Sequence, residues 1–475
     1  MTGWLIFIAI LLVLIVLFQV TRTLDLVGQL RDDDDRQIEQ GSKLQATALL
    51  IFMVLGMIGF FWSFGHYSDT NIPVASEHGK LIHNMFVATL VVTSIVFVVC
   101  NVLLFAFAYM YRYRKGREAS HFAHSNKLEF IWTVIPTIVL TGLVVFGLQA
   151  WTKITGTPSE DAIVFEVTGQ QFYWSSRYPG EDGKLGPRDY NLICPENPLG
   201  IVTKEYVEHR INSLEGNKEL GVKGEIPALI ARKAELPALI ADLEEKIGKR
   251  PNRYMKDELE EELETLEDEL EDIDERIETR RLNLDRIKNK YTSDYYMANS
   301  EALTWGYDDI MPSQLHLPVG KEALAKIVAL DVLHDFDVPH MKVKMDAVPG
   351  MPTSFKFTPT ITTAEMRETL SDNPVWQRVK DGDTEPMWKS FNYEVACAEL
   401  CGVGHSAMKY ILVVESQDEY DTWLASQTPY WNAVSSSLKI AGLSDLAPKM
   451  EEKSTESEEM PAEPAVEDST AVAIK

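Results

Sequence analysis

The sequence predicts a membrane-anchored, mostly β protein, in which N-terminal transmembrane helices precede an external all-β sandwich with an inserted α-helical hairpin. Three observations predict this fold class. Long apolar runs are confined to the N-terminal third of the chain. Short stretches rich in aromatic and β-branched residues follow them. A segment rich in Glu, Lys and Leu, with heptad spacing, interrupts those stretches.

The composition limits the classes of function. The chain has 475 residues, of which 45% are hydrophobic, and a formal net charge of -26 at pH 7. Nucleic acid would repel so acidic a protein, so we expect no nucleic-acid partner and favour a basic protein partner. The chain has 4 cysteines, too few for a disulfide scaffold of this length, and it contains no CxxCH haem-attachment motif.

Four apolar runs are long enough to cross a bilayer, which requires about 20 helical residues. The first run could instead be a signal peptide, although it lacks a basic start and a small-residue cleavage site. We expect two extra transmembrane helices within 1–64, the first of which is that run, and a transmembrane helical hairpin at 84–150. The four runs are 3–20, 46–64, 84–111 and 130–150.

The basic residues in the short connections predict the orientation, because Lys and Arg accumulate on the cytoplasmic side. The connections after the first and third runs are rich in both residues, whereas 65–83 contains only Lys80. Everything after Trp151 is therefore predicted to be external. We expect a multi-pass protein in the lipid of a bacterial cytoplasmic membrane, with its large domain on the periplasmic side.

The external part, 151–440, has strand-like sequence at both ends. AIVFEVTG and QFYWSSRY come early, and QLHLPVG, KIVALDVLHDF, SFKFTPT, NYEVACAEL and KYILVVES come late, with Pro and Gly turns between them. This pattern predicts an all-β sandwich. Residues 441–475 are acidic, rich in Pro, Ser and Glu, and almost free of aromatic residues. We expect them to form a disordered tail.

Residues 225–291 are predicted to form an inserted coiled-coil hairpin. Leu and Ile recur there at alternating spacings of four and three in two arms, which a Gly and a Pro separate. Pro237 would limit how far the first arm extends as unbroken helix. Such a stripe is more often plain helix packing than a binding surface. The stripe comprises Leu236, Ile240, Leu243 and Ile247, then Leu259, Leu263, Leu266, Leu270, Ile273 and Ile277.

The densest chemical signal is VACAELCGVGHSAM, which places Cys397, Cys401, His405 and Met408 at steps of four, four and three. Two thiolates, an imidazole and a thioether form a soft ligand set, which favours copper over magnesium, calcium or manganese. A second thiolate so near permits both sulfurs to be shared between two metals. A further imidazole is then needed, and DVLHDF offers His334.

The same residues also fit ordinary structural roles. Cys397 and Cys401 could form a disulfide in an external compartment, or they could belong to a structural zinc site. Taken singly, His334 is more often a satisfied core or surface histidine, and Met408 a core residue. Their occurrence as a set favours copper.

The sequence resembles cytochrome c oxidase subunit II, a family whose dinuclear copper A centre lies in an external cupredoxin-like β-sandwich. The resemblance covers residues 84–426 apart from the hairpin. It rests on LEFIWTVIPTIVL, QFYWSSRY, DVLHDFDVPHMKVKMDAVPG and CAELCGVGHSAM. It implies that 151–440 is a cupredoxin-like copper A domain with the hairpin inserted in it.

The resemblance also implies a role for each matching residue. Two cysteines would bridge the coppers, two histidines would each bind one copper, and a methionine and a backbone carbonyl would be weak ligands. The side chain next to that carbonyl would reach a magnesium ion shared with subunit I. In this order the residues are Cys397 and Cys401, His334 and His405, and Met408 and Glu399.

Three further residues match functional positions of the family. Glu129 corresponds to a glutamate at the mouth of a proton channel into subunit I, although a carboxylate near a helix N-terminus is also favoured without any such role. The family usually has Trp-Tyr-Trp where this chain has Phe172, Tyr173 and Trp174. The first aromatic normally receives electrons, so Phe172 is a departure within the predicted electron-accepting region, which we assign to Phe172 and Trp174.

The resemblance implies an electron-transfer subunit of a proton-pumping cytochrome-c oxidase. It would pass electrons from a c-type cytochrome to haem a and the haem a3 and copper B site of subunit I, with subunit III as a further partner. Phe172 and the hairpin favour a donor held in a larger membrane supercomplex. A copper A subunit of a nitric oxide reductase would have the same ligands. A membrane-anchored coiled-coil adaptor with a structural disulfide is the alternative from another class.

Overall fold

The structure is a computed structural model that describes residues 34–67, 72–118, 124–249, 253–380, 382–440 and 442, with isolated residues between 15 and 27. The predicted first membrane run, 3–20, falls largely outside the described residues. The predicted acidic tail, 441–475, also falls outside them apart from Gly442.

Three described helices are long and apolar enough to cross a membrane. They are α1 (Asp34–His66), α2 (Glu77–Met110) and α3 (Asn126–Thr155). The Ser76 and Ser125 hydroxyls cap the N-termini of α2 and α3. The apolar side chains of these helices are largely exposed, as expected for surfaces that face lipid or other membrane helices. Helices able to span a membrane are therefore present at the second, third and fourth predicted apolar runs.

A short extended segment before α2 ties the membrane helices to the β-domain. The Ala75 N–H donates to the His340 carbonyl at 2.7 Å, and the Ala75 carbonyl accepts from the Thr360 N–H at 2.8 Å. The Ser76 hydroxyl donates to the Met341 carbonyl. These contacts connect the N-terminal end of α2 to two loops of the sandwich.

Nine strands form two sheets in the described residues. One sheet has the order β2-β1-β4-β7, with β1 (Ile163–Gln170), β2 (Tyr173–Arg177), β4 (Ala323–Ala329) and β7 (Thr353–Phe357). The other has the order β3-β9-β8-β5-β6, with β3 (Leu315–Pro318), β5 (His334–Val338), β6 (Val343–Ala347), β8 (Tyr393–Cys397) and β9 (Lys409–Glu415). The helices α8 (Thr363–Ser371), α9 (Gln417–Ser426) and α10 (Tyr430–Val434) complete the later part of the chain.

One hydrophobic core joins the two sheets, which confirms the predicted sandwich. Phe165 and Ile327 of the first sheet and Phe336 and Leu412 of the second are fully buried in it. The sequence predicts strand over KIVALDVLHDF without indicating where one strand ends and the next begins. The structure divides it between β4 and β5, which belong to different sheets.

Residues 188–304, with the described residues after 432, form a second compact unit. Its helices are α4 (Lys204–Glu215), α5 (Glu225–Gly248), α6 (Arg253–Lys290) and α7 (Ser293–Ala298). Leu236 of α5 packs with Ile273 and Ile277 of α6, and the other residues of the heptad stripe are buried or partly buried. A bidentate pair between Arg232 and Glu269 reinforces this contact at 2.7 and 3.0 Å. Helices are therefore present where the hairpin was expected.

The α5 helix continues through Pro237, unlike the sequence expectation. Pro removes one backbone hydrogen bond and crowds the preceding turn. Burial of the neighbouring Leu236 and of Leu243 on the α5–α6 contact offsets that cost. Tertiary packing thus overrides the local preference.

A buried cation stabilises the edge of the first sheet. Arg177 is 1% exposed, and its guanidinium contacts Asp309 at 2.7 Å, Glu166 at 3.1 Å and the Gly186 carbonyl at 2.8 Å. Burial raises the pKa of Asp309 to about 7, against the opposing effect of the Arg177 charge. The arginine therefore compensates two carboxyl groups that water cannot reach.

We predict that Arg177→Met lowers the free energy of unfolding by about 3 to 5 kcal/mol, because removing one partner leaves buried charge uncompensated. Lys409→Met is the matched control, since Lys409 pairs with Glu394 on the surface, where such a pair contributes about 1 kcal/mol or less. Urea unfolding followed by tryptophan fluorescence measures both variants. Equal midpoints for the two variants would contradict this assignment.

Candidate metal centre

Strand pairing brings the first two candidate ligands together. His334 begins β5, Cys397 ends β8, and these strands are antiparallel neighbours with Phe336 opposite Cys397. The start of one antiparallel strand and the end of the other lie at the same edge of a sheet. His334 and Cys397 therefore meet there although they are far apart in the sequence.

The loop between β8 and β9 contributes the remaining side chains. It contains Cys401, a 3-10 turn at His405–Ala407, and Met408 immediately before β9. The Cys397 N–H donates to the Met408 carbonyl at 3.2 Å and closes the loop. This closure directs the loop back over Cys397.

The two sulfurs lie between two imidazoles. Cys397 Sγ is 3.8 Å from Cys401 Sγ, and both cysteines are free thiols. His334 Nδ1 is 3.8 Å from Cys397 Sγ, and His405 Nδ1 is 3.7 Å from Cys401 Sγ. The arrangement is a chain of four donors with one imidazole at each end.

Two weaker donors complete the group. Met408 Sδ lies 3.8 Å from Cys401 Sγ, and the Glu399 carbonyl oxygen lies 3.2 Å from Cys397 Sγ. Each sulfur thus has one additional neighbour. The Glu399 side chain is exposed and does not take part in these contacts.

Most of the group is shielded from solvent. His334 is 0% exposed, Met408 1%, Cys401 4% and Cys397 8%, whereas His405 is half-buried. Burial, together with the hydrogen bond and the charge of Cys397, raises the pKa of the Cys401 thiol to about 11. A bound metal ion would deprotonate such thiols, because the thiolate is the metal ligand.

Asp331 orients His334 and was missed in the sequence. Its carboxylate lies 2.8 Å from His334 Nε2 and accepts the Gln171 N–H at 2.7 Å. Burial alone would raise the pKa of Asp331, but the hydrogen bonds from Gln171, His334 and Val332 lower it. Because a carboxylate only accepts, Nε2 donates to Asp331, and Nδ1 is the nitrogen that faces Cys397. An acid three residues before a histidine in DVLH is the sequence signal that could have indicated this pair.

The predicted electron-accepting residues lie beside the group. Trp174 is 3% exposed and packs edge-on against His334, with ring centroids 5.9 Å apart. Phe172 is half-buried and packs against the core that includes the two cysteines. Glu129, by contrast, lies in the first turn of α3, at the end of that helix remote from β1, and contacts His124 at 2.9 Å.

A second group of potential ligands occurs in the helical unit. Cys194, Glu196 and His209 place one donor atom each within 4.8 Å of one another. The Lys439 N–H donates to His209 Nδ1 at 2.9 Å, so Nε2 carries the proton and points at Glu196, 3.2 Å away. This tautomer leaves no lone pair on Nε2 for a metal, and the three residues form a hydrogen-bonded network instead.

Comparison with known proteins matches one family in both parts of the chain. The model for the transmembrane domain of cytochrome c oxidase subunit II matches residues 59–150, and the model for its periplasmic domain matches residues 285–363. The chain thus matches the cytochrome c oxidase subunit II family in both its membrane part and its periplasmic part. The predicted resemblance is thereby confirmed.

Relatives from this family extend over most of the chain. The alternative cytochrome c oxidase subunit 2 of Bradyrhizobium diazoefficiens is 24% identical over 81% of this chain and 93% of its own length. Cytochrome c oxidase subunit 2 of Thermostichus vulcanus is 23% identical over 76% of this chain and 80% of its own length. The corresponding protein of Cereibacter sphaeroides is 21% identical over 74% and 78%.

The match to this family identifies this chain as an electron-transfer subunit of a haem-copper cytochrome c oxidase, a membrane protein with a periplasmic domain. It also implies a copper centre in that domain. The donor set fits copper, since thiolates and a thioether are soft ligands and imidazole suits the same metal. The close grouping of His334, Cys397 and Cys401 is compatible with one site.

We predict that Asp331→Asn weakens copper binding by about 10- to 100-fold, as loss of the partner of a metal-binding histidine typically does. An amide accepts the His334 hydrogen bond less strongly than a carboxylate and can also present N–H groups to Nε2. Competition with a copper chelator measures the affinity. Asp372→Asn, at the exposed end of α8, is the control. Equal copper affinities in the two variants would exclude an orienting role for Asp331.

Proposed function

We propose that this chain accepts single electrons from a c-type cytochrome at a dinuclear copper A centre. It passes them to haem a and the haem a3 and copper B site of subunit I, and proton pumping is coupled to this transfer. One observation carries the proposal: two free thiols lie 3.8 Å apart, with an imidazole nitrogen within 3.8 Å of each sulfur. A single-copper site would need only one of these thiols.

The proposed ligands follow from the neighbours of each sulfur. The two cysteines would bridge the metals, one histidine would bind each metal, and the thioether and the carbonyl would be weak ligands. The neighbouring distances of 3.2 to 3.8 Å support this division. The ligands are Cys397, Cys401, His334, His405, Met408 and the carbonyl of Glu399.

When bound, such a centre shares one unpaired electron over two coppers and two sulfurs, which spreads the charge change on reduction. The residues of this chain hold the proposed ligands in place and exclude water from them. Asp331 holds the His334 ring, and the buried sulfurs of Cys401 and Met408 exclude water. A site that changes little on reduction transfers electrons quickly.

Trp174 is the proposed residue through which electrons reach the centre. It packs against His334, and the adjacent Tyr173 is 47% exposed at the surface. Because successive side chains of β2 point to opposite faces, Tyr173 lies on the solvent side of this strand and Trp174 on the side that meets the proposed ligand. Phe172 belongs to the same region but packs its ring against the loop that carries Cys401.

The exposed tip of the copper loop supports a contact with subunit I. Leu400 is 78% exposed and Val403 is fully exposed, on either side of Cys401 and next to the exposed Glu399. Exposed apolar side chains bordered by polar residues are typical of protein interfaces. We propose that this tip faces subunit I and that the Glu399 carboxylate binds a magnesium ion shared with it. Subunit III is a further proposed partner.

We also propose a membrane location for this chain and a cytochrome as its electron donor. The three apolar helices support a multi-pass position in a bacterial cytoplasmic membrane with the copper domain in the periplasm. The departure at Phe172 and the added α5–α6 hairpin favour a cytochrome donor held in a larger membrane assembly, because tethering supplies it at high effective concentration. Glu129, at the predicted cytoplasmic end of α3, is the proposed site of proton uptake.

We predict that Cys397→Ser or Cys401→Ser abolishes the two-copper spectrum, because each thiolate would bridge both metals. Met408→Leu should keep both coppers and shift the reduction potential, because the thioether is a weak ligand. Copper content and electron paramagnetic resonance of the purified oxidase measure these effects. Cys100→Ser, in α2, is the control. An unchanged spectrum with full copper in either bridging variant would overturn the assignment.

We predict that Glu129→Gln slows oxygen reduction while copper reduction by the donor stays nearly unchanged. The amide cannot release a proton, and the residue lies on the opposite side of the predicted membrane from the copper domain. Oxygen consumption and stopped-flow reduction separate the two steps, with Glu118→Gln in the α2–α3 connection as control. Equal loss of both steps would count against a role in proton uptake.

A further inference from the structure

The turn between β1 and β2 lies directly against the copper loop. The Gln171 side-chain amide donates to the Cys401 carbonyl at 2.6 Å, and the Gln171 backbone N–H donates to the Asp331 carboxylate at 2.7 Å. Asp331 in turn holds His334 at 2.8 Å. One residue of the turn thus connects the segment that carries His334 with the loop that carries Cys401 and His405.

The Phe172 ring lies against the same loop and accounts for the glycine at position 404. Gly404 has φ -91° and ψ 6°, which any residue can adopt, so the backbone does not require glycine. A Cβ on Gly404 would lie 2.6 Å from Cδ2 and 2.9 Å from Cβ of Phe172. These are atoms near the base of the side chain, so a simple rotation of the ring would not relieve the clash. The contact with Phe172 is what excludes a side chain at 404.

Gly402 faces the same turn. A Cβ there would lie 3.0 Å from the Gln171 amide nitrogen and 3.0 Å from the Phe172 ring. In this case the backbone also demands glycine, because φ is 132°. Both glycines of CGVG therefore allow the loop to approach the turn closely.

We propose that Gln171 and Phe172 form a clamp that fixes the position of the copper loop relative to His334. The inference rests on the proposed copper function and adds two positioning residues to it. The Gln171 hydrogen bonds set the separation between the two ligand-bearing segments, and the Phe172 ring prevents the loop from moving toward the turn. The ring at 172 thereby acts on the ligands through the backbone.

The clamp has a specific consequence for the metal ligands. His334 is buried on a strand, whereas Cys401 and His405 lie on a loop that bonds within itself, from the His405 N–H to the Gly402 carbonyl, and joins β5 at one end, from the Ala398 N–H to the Asp335 carbonyl. The Gln171 amide supplies a bond to this loop from outside it. Without this bond, the loop that carries Cys401 and His405 should open more readily. Copper should then leave faster while the β-sandwich remains folded.

The first test uses Gln171→Ala and the nearly isosteric Gln171→Glu in the assembled oxidase. Neither variant can donate to the Cys401 carbonyl. Each should bind two coppers but lose them to a chelator roughly 10-fold faster or more, with a shifted reduction potential. Gln377→Ala is the matched control, because Gln377 also donates its amide to a backbone carbonyl, that of Ser371, at 2.7 Å on the exposed surface. Loss rates and potentials in both Gln171 variants equal to those of Gln377→Ala would overturn the clamp.

The second test uses the contact between Phe172 and Gly404. Gly404→Ala should accelerate copper loss and distort the resonance spectrum, since the new methyl group collides with the ring. Adding Phe172→Ala removes the collision, so the double variant should return to the spectrum and loss rate of Phe172→Ala alone. A Gly404→Ala variant with a normal spectrum and normal copper loss would contradict this contact. A double variant that loses copper as fast as Gly404→Ala would contradict it as well.

The outcome for the unsubstituted protein separates this inference from the proposed function. Absence of a two-copper spectrum in the unsubstituted oxidase would refute the copper A proposal itself. A normal spectrum there, with copper loss unaffected by changes at Gln171, would refute the clamp alone.

Discussion

The pairing of β5 with β8 is the constraint on which the candidate metal centre depends. It places Phe336 opposite Cys397 and Asp337 opposite Ala396, and so brings the start of one strand beside the end of the other. Side chains alternate between the two faces of a strand, so a slip of one residue would turn every side chain of β5 to the opposite face. The buried position of Phe336 in the core makes that slip costly, and the same burial keeps His334 beside the sulfurs.

Local patterns in the sequence were sufficient for much of the fold and for most of the site. The apolar runs of α1 to α3 and the alternating strands are periodic over short windows, and such periodicity follows directly from helix and strand geometry. Cys397, Cys401, His405 and Met408 lie within a dozen residues, so their spacing alone indicated a shared ligand set.

The parts that sequence reasoning missed depend on contacts between distant segments. Gln171 meets Cys401 only because β1 and β2 fold beside the β8–β9 loop, and nothing in the local sequence indicates this hydrogen bond. Gly404 looks like an ordinary turn glycine until the Phe172 ring is seen against it. The division of KIVALDVLHDF between two sheets likewise depends on which strands pair. Alternation of residues within one strand does not indicate which strand lies beside it.

The insertion between β2 and β3 also bears on how the chain folds. Parallel pairing of β1 with β4 joins Ile163 to Ala323, with residues 188–304 between them in the sequence. The entropy cost of closing a flexible loop grows only logarithmically, by about 0.6 kcal/mol for each doubling of its length, so the insertion weakens the sheet little. The insertion affects the folding rate more strongly, because contacts between residues far apart in the sequence form slowly. The inserted residues have a hydrophobic core of their own, and a segment that condenses early shortens the effective separation of β1 and β4. We therefore expect the helical unit, with this core of its own, to fold before β1 pairs with β4.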